Sequence, residues 1–141
     1  MIESNITDAF ILKCENISEE ILNLPLYKIE KLKTAPFFLI IKSITEDFMK
    51  LMIYPIKKQK IVKINISGQN LSAAIEEISK ILHDFQVIHT SGFIKIKEHY
   101  YYECYLNLSL NDERIMNLKT SLNKIKNVFK EIKIEEIGLK T

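Results

Sequence analysis

The sequence predicts an α+β fold, with two helices on one face of an antiparallel sheet and extra strands ahead of them. Three stretches carry this reading. KIVKINISGQNLSAAIEEISKIL (60–82) passes from strict alternation to helical spacing across Gly68, YYYECYLNLSL (100–110) alternates throughout, and residues 111–137 pair a second helical stripe with a last alternating run.

Taken in order, DAFILKC (8–14) reads as a first strand, and Ser18 with Glu19 and Glu20 can open a short helix that Pro25 limits. FFLIIKS (37–43), the turn ITED and FMKLMIY (48–54), ended by Pro55, read as a hairpin. After the basic connector KKQK, Val62, Ile64 and Ile66 point one way and Lys63, Asn65 and Ser67 the other. Beyond Gly68, the residues Leu71, Ala74, Ile75, Ile78, Leu82 and Phe85 form one apolar helical stripe, with Asn70 or Ser72 placed as cap. VIHTSGFIKIK (87–97) is expected as one strand bent at Gly92, and KEH turns it into residues 100–110. There Tyr100, Tyr102, Cys104, Leu106 and Leu108 take the covered side, while Tyr101, Glu103, Tyr105, Asn107 and Ser109 take a side expected to be partly open. Asn111 or Asp112 caps the second helix, whose stripe is Ile115, Leu118, Leu122, Ile125 and Phe129, and EIKIEEI (131–137) closes the chain.

Residues 60–138 therefore read β-α-β-β-α-β, and two right-handed crossovers put both helices on the same face, the ferredoxin-like sandwich. Residues 1–56 read β-(α)-β-β and are expected to extend the same sheet or to pack on a partner. No side-by-side match of residues supports an internal repeat. A length of 141 residues suits one domain or two very small units, and one compact body is expected.

Composition narrows the function classes. A formal charge of +2 arises from twenty basic against eighteen acidic residues, too even for polyanion binding by bulk electrostatics. The basic set is nineteen Lys and Arg114 alone, so the bidentate fork that reads phosphates and guanine edges is scarce, and nucleic acid is not the expected partner. Cys14 and Cys104 have no partner at metal-ligand or redox spacing and read as reduced, buried thiols. APFFLII, the longest apolar run, is too short to span a bilayer, and MIESNITDAF lacks the basic and apolar regions of a leader; a cytoplasmic protein without membrane contact is expected.

Asn70-x-x-Ala73-x-Ile75-x-x-Ile78-x-x-x-Leu82, directly after a strand, resembles the start of an ACT domain, whose typical pattern there is Asp-x-x-Gly-x-Leu-x-x-Ile-x-x-x-Leu. With the later strands the resemblance covers about half of the chain; Asn70 stands where that family has Asp and Ala73 where it has Gly. It implies a regulatory, amino-acid-binding module that acts as a homodimer with a two-fold interface near residues 66–75. The ligand would be received at Gly68, Gln69, Asn70, Leu71 and Ala73, where unpaired backbone N–H groups at a helix start can hold a carboxylate.

Other constellations point elsewhere. Tyr101 and Tyr105, with Lys63 and Asn65 on the neighbouring strand, form an alternative face for RNA or a protein partner, because aromatic residues on an open ferredoxin-like sheet stack bases. The first strand has no aromatic for a second platform, so a subunit interface fits these tyrosines better. His83, His89 and His99 lack metal-ligand spacing, so no metal or other cofactor is expected. Neighbouring carboxylates such as Glu76 and Glu77 point apart, and no Ser, His and Asp grouping is suggested; the chain is read as non-enzymatic, with an adaptor subunit as the rival reading.

Overall fold

The computed structural model describes residues 6–16, 34–69, 74–125 and 131–140. The chain forms two compact units where one body is expected: residues 61–136 together with the amino-terminal residues up to Ile6, and residues 7–60 together with the last five. Ser18, Glu19, Glu20 and Pro25, expected to open and limit a short helix, lie outside the described residues.

The unit of residues 7–60 is an antiparallel sheet in the order β1-β2-β3, with β1 Asp8–Lys13, β2 Phe37–Ile44 and β3 Met49–Ile56. In-register pairs place Leu12 opposite Phe38 and Phe10 opposite Ile40, and these four share one face with Ile53 and Ala35 in a common apolar cluster. Ile11, Leu39 and Ile41 on the alternate face are also fully buried, so residues 37–41 of β2 are an unbroken apolar run buried on both faces rather than an alternation. Past β1, Cys14–Asn16 makes a single 3₁₀ turn, and Cys14 is exposed there, not buried on a strand as expected. The other edge of β1 is covered by the chain terminus. The Ile11 N–H donates to the Gly138 carbonyl (3.1 Å), the Lys140 N–H to the Ile11 carbonyl (2.8 Å), and Leu139 bridges Ile11 in parallel. Pro55 does not end β3, because an edge strand tolerates the missing donor.

Among the described residues the first three strands pair with one another and not with the second sheet, so they do not lengthen it. Nor are they a truncated copy of residues 61–137. In the first sheet β1 pairs with the next strand, whereas in the second the first strand pairs with the strand before α2.

The second unit holds β4 Ile61–Gly68, α1 Ile75–Leu82, β5 Val87–Thr90, β6 Ile94–Ile96, β7 His99–Leu106, α2 Arg114–Lys124 and β8 Glu131–Ile137. Its sheet runs β5-β7-β4-β8, with β6 also on β7. Counting β5 and β6 as the second strand, the order is second, third, first, fourth: the ferredoxin-like β-α-β-β-α-β topology. Val62, Ile64 and Ile66 of β4 and Tyr102, Cys104 and Leu106 of β7 meet Ala74, Ile78, Leu82, Ile115, Leu118 and Leu122 in one buried cluster, which puts both helices on one face.

Local chemistry explains the departures from the expected elements. The single bent strand over 87–97 is two, because Gly92 takes φ +71° and the chain leaves the pleat. Ser91 bridges the gap: its N–H donates to the Glu103 carbonyl and its hydroxyl accepts the Glu103 N–H, both at 2.9 Å. β7 stops at Leu106, where the Asn107 N–H turns to the Gln86 carbonyl (2.9 Å). The Asp112 carboxylate accepts the Arg114 N–H (2.9 Å) at the start of α2. Ile75 is exposed rather than part of the buried stripe of α1.

Candidate functional site

Two places are candidates, and the fold sets them on different parts of the second unit. The first is the turn between β4 and α1. Gly68 is the buried last residue of β4, opposite Tyr100, and Gln69 is exposed; Asn70, Leu71 and Ala73 lie outside the described residues. The hollow alongside, lined by Asn65, Ile66, Ser67, Glu131 and Lys133, measures about 10 Å³, room for no more than one water.

The second is the face of β4 and β7 turned away from the helices. Antiparallel register sets Lys63 opposite Tyr105 and Asn65 opposite Glu103, and alternation sends all four side chains the same way. The Lys63 ammonium reaches diagonally to the Glu103 carboxylate at 3.2 Å and lies 4.0 Å from the Glu135 carboxylate. It also sits 5.4 Å from the centre of the Tyr105 ring, which is 6.2 Å from the ring of His89. The Asn65 amide donates to Glu135 Oε1 (3.3 Å), and Glu103 Oε2 accepts the Ile6 N–H (2.8 Å).

The alternation of β7 predicts that this face is partly open. Instead Lys63, Asn65, Tyr101, Glu103 and Tyr105 are all buried, with Tyr105 at 0% exposure, so no base has a ring to stack on here. The charges tolerate this burial because they are compensated within the face: Glu103 answers Lys63, and a backbone N–H supplies a further bond to the carboxylate. Alternation marks Lys63 as solvent-facing because it reports which side a residue takes and not what meets it there. Glu103, two residues from each tyrosine on the same side, is the signal in the sequence that this lysine has a partner.

On the opposite side, the Cys104 thiol is pushed up to about 12 by burial. Burial first, and then the neighbouring Cys104, push the Tyr102 hydroxyl to about 12 as well. Neither is a nucleophile or base near neutral pH. Among the described residues no group of three or more His, Cys, Asp and Glu side chains converges as a metal site would require. Two shallow clefts flank α2. One, of about 200 Å³, lies among Ile81, Asp84, Phe85, Arg114, Asn117 and Ser121; the other, of about 260 Å³, among Lys119, Leu122, Asn123, Ile132 and Ile134.

Fold and site together define a two-unit α+β protein, ferredoxin-like in its second unit, with a compensated ionic centre in the sheet. Among solved structures the chain is similar to a proposed glycine cleavage system transcriptional repressor, with 13% identity and a TM-score of 0.45, over 86% of this chain and 64% of that one. It is also similar to a formyltetrahydrofolate deformylase from Pseudomonas putida KT2440, with 10% identity and a TM-score of 0.37, over 56% of this chain and 28% of the other. The chain thus spans less than two thirds of the length of either protein. No protein-family model matches the sequence, and no curated protein matches it. No helix among the described residues is long and apolar enough to cross a membrane.

Proposed function

We propose that this chain is a non-enzymatic, ACT-like regulatory module that binds a small ligand of the amino-acid class and acts as a cytoplasmic homodimer. The observation that carries the reading is the hand-over from β4, a central strand of a ferredoxin-like sheet, through the exposed Gln69 toward α1, the place where the ACT resemblance puts its ligand. Gly68, Gln69, Asn70, Leu71 and Ala73 form the site in this reading, and a ligand carboxylate is held by backbone N–H groups at the helix start. The test is a thermal-melt screen against the free amino acids, since a ligand that binds only the folded state raises its melting temperature. A rise for one or a few of them, abolished by Asn70→Leu, supports the reading; no rise for any of them removes the amino-acid ligand.

One observation favours an adaptor instead. Ile44, Phe48, Met49 and Leu51 are exposed apolar residues gathered on one hairpin, the kind of surface a protein partner covers. In that case the screen is silent, and a defined partner protein is retained by the wild-type chain but lost with Phe48→Ser.

A further inference from the structure

The β2–β3 hairpin is unusual for what it leaves in water. Ile44 is 65% exposed, Phe48 60%, Met49 57% and Leu51 38%, all within eight consecutive positions. The tip is held in shape: the Thr45 N–H and hydroxyl both donate to the Phe48 carbonyl (2.9 and 3.1 Å), and the Phe48 N–H donates to the Thr45 hydroxyl oxygen (3.1 Å). Among the described residues β3 is the last strand in its sheet order, an eight-residue edge. The opposite edge, on β1, is covered by residues 138–140. An apolar edge of this length is ordinarily covered or blunted by charge. Here the only charge within β3 is Lys50.

Charge is arranged along the hairpin rather than on its edge. Glu46 and Asp47 occupy the exposed tip, and Lys57 and Lys58 are exposed at the far end of β3. A second β3 laid antiparallel about Met52 brings the acidic tip of one copy, residues 46 and 47, to the same end of the ribbon as residues 57 and 58 of the other. The two-fold axis then makes the same acid-to-lysine contact twice. A parallel alignment would set acid against acid and lysine against lysine. We infer that β3 is a homodimer interface, pairing edge to edge with β3 of a second copy of this chain in an antiparallel, two-fold arrangement. In that register residue 51 falls beside residue 53 of the other copy, so the apolar face of β3 continues across the axis, and the acidic tips lie on the partner's basic ends. Pro55 offers no N–H, so the pairing runs over residues 50–54.

This rests on the homodimer part of the proposed function but places the contact on β3 instead of at residues 66–75, and the experiment separates the two. The full chain and two surface variants, Glu46→Lys/Asp47→Lys and Lys57→Glu/Lys58→Glu, are compared by sedimentation equilibrium at low and high NaCl, with circular dichroism to verify folding. The expected result is a wild-type dimer that weakens with salt, and about tenfold or greater weakening for each variant alone. Mixing the two variants then restores a heterodimer, because each tip again faces an opposite charge. A wild-type dimer indifferent to both variants, and to Leu51→Lys, overturns the β3 interface and leaves the homodimer reading standing. A wild-type monomer overturns both.

Discussion

Lys63 and Glu103 form an ion pair at 3.2 Å across β4 and β7, with their side chains 2% and 1% exposed. Two charges so far from water are tolerated because each answers the other, and Glu103 also accepts the Ile6 N–H while Asn65 donates to Glu135 beside them. Removing one partner should therefore cost far more than removing both. Lys63→Met alone or Glu103→Gln alone is expected to lower unfolding free energy by about 3–5 kcal/mol, while Lys63→Met with Glu103→Leu should recover much of that loss. Urea denaturation of the three variants measures the coupling; additive losses would mean that the pair is not a unit.

The two thiols should differ in reactivity. Cys14 is exposed and Cys104 is buried, with its thiol pushed up to about 12. A chromogenic disulfide reagent at neutral pH is expected to titrate one thiol in the folded protein and two in denaturant. Cys14→Ser should leave the folded protein unreactive. Rapid reaction of Cys104 in the native state would contradict its packing between β7 and the helices.

Alkaline pH should destabilise the fold. The Cys104 thiol moves from 9.0 to about 12 and the Tyr102 hydroxyl from 10.0 to about 12, so in both cases the folded value lies above the unfolded one. Their contribution is fully present below about pH 9 and is lost as pH rises toward 12, where the unfolded chain has released protons that the folded chain still holds. Thermal melts from pH 8 to 11 should show a falling melting temperature. Cys104→Ala should flatten the fall, since it removes the group that titrates first.

Helix α2 offers an internal control for burial. Leu118 is 1% exposed in the core cluster and Met116 is 69% exposed two positions away. Leu118→Ala is expected to cost about 2–5 kcal/mol and Met116→Ala less than about 0.5 kcal/mol. Equal effects in a denaturant titration would show that α2 does not bury this stripe.

The range of each interaction decides whether it is legible in the sequence. The stripe Ile115, Leu118, Leu122 was legible because positions three and four apart share a helix face whatever surrounds it. The alternation of β4 and β7 was legible for the same reason, and with it the sides taken by Lys63, Glu103 and Tyr105. The break at Gly92 was marked by its residue type, but the division into β5 and β6 depended on a positive φ that composition does not state. Of the residues named for a ligand, only Gly68 and Gln69 fall within the described chain, and Asn70, Leu71 and Ala73 lie outside it.

By itself, then, the amino-acid sequence determined the local periodicities, and through them the β-α-β-β-α-β order of the second unit and, Ile75 apart, the buried face of its described helices. Tertiary structure alone decided that Lys63 would be buried against Glu103, that the first three strands would make a sheet of their own, and that Leu139 would return to Ile11. The physical reason is that periodicity is a property of neighbouring residues. Which strand edges pair, and which charge is withdrawn from water beside which other, depend on contacts between residues far apart in the chain.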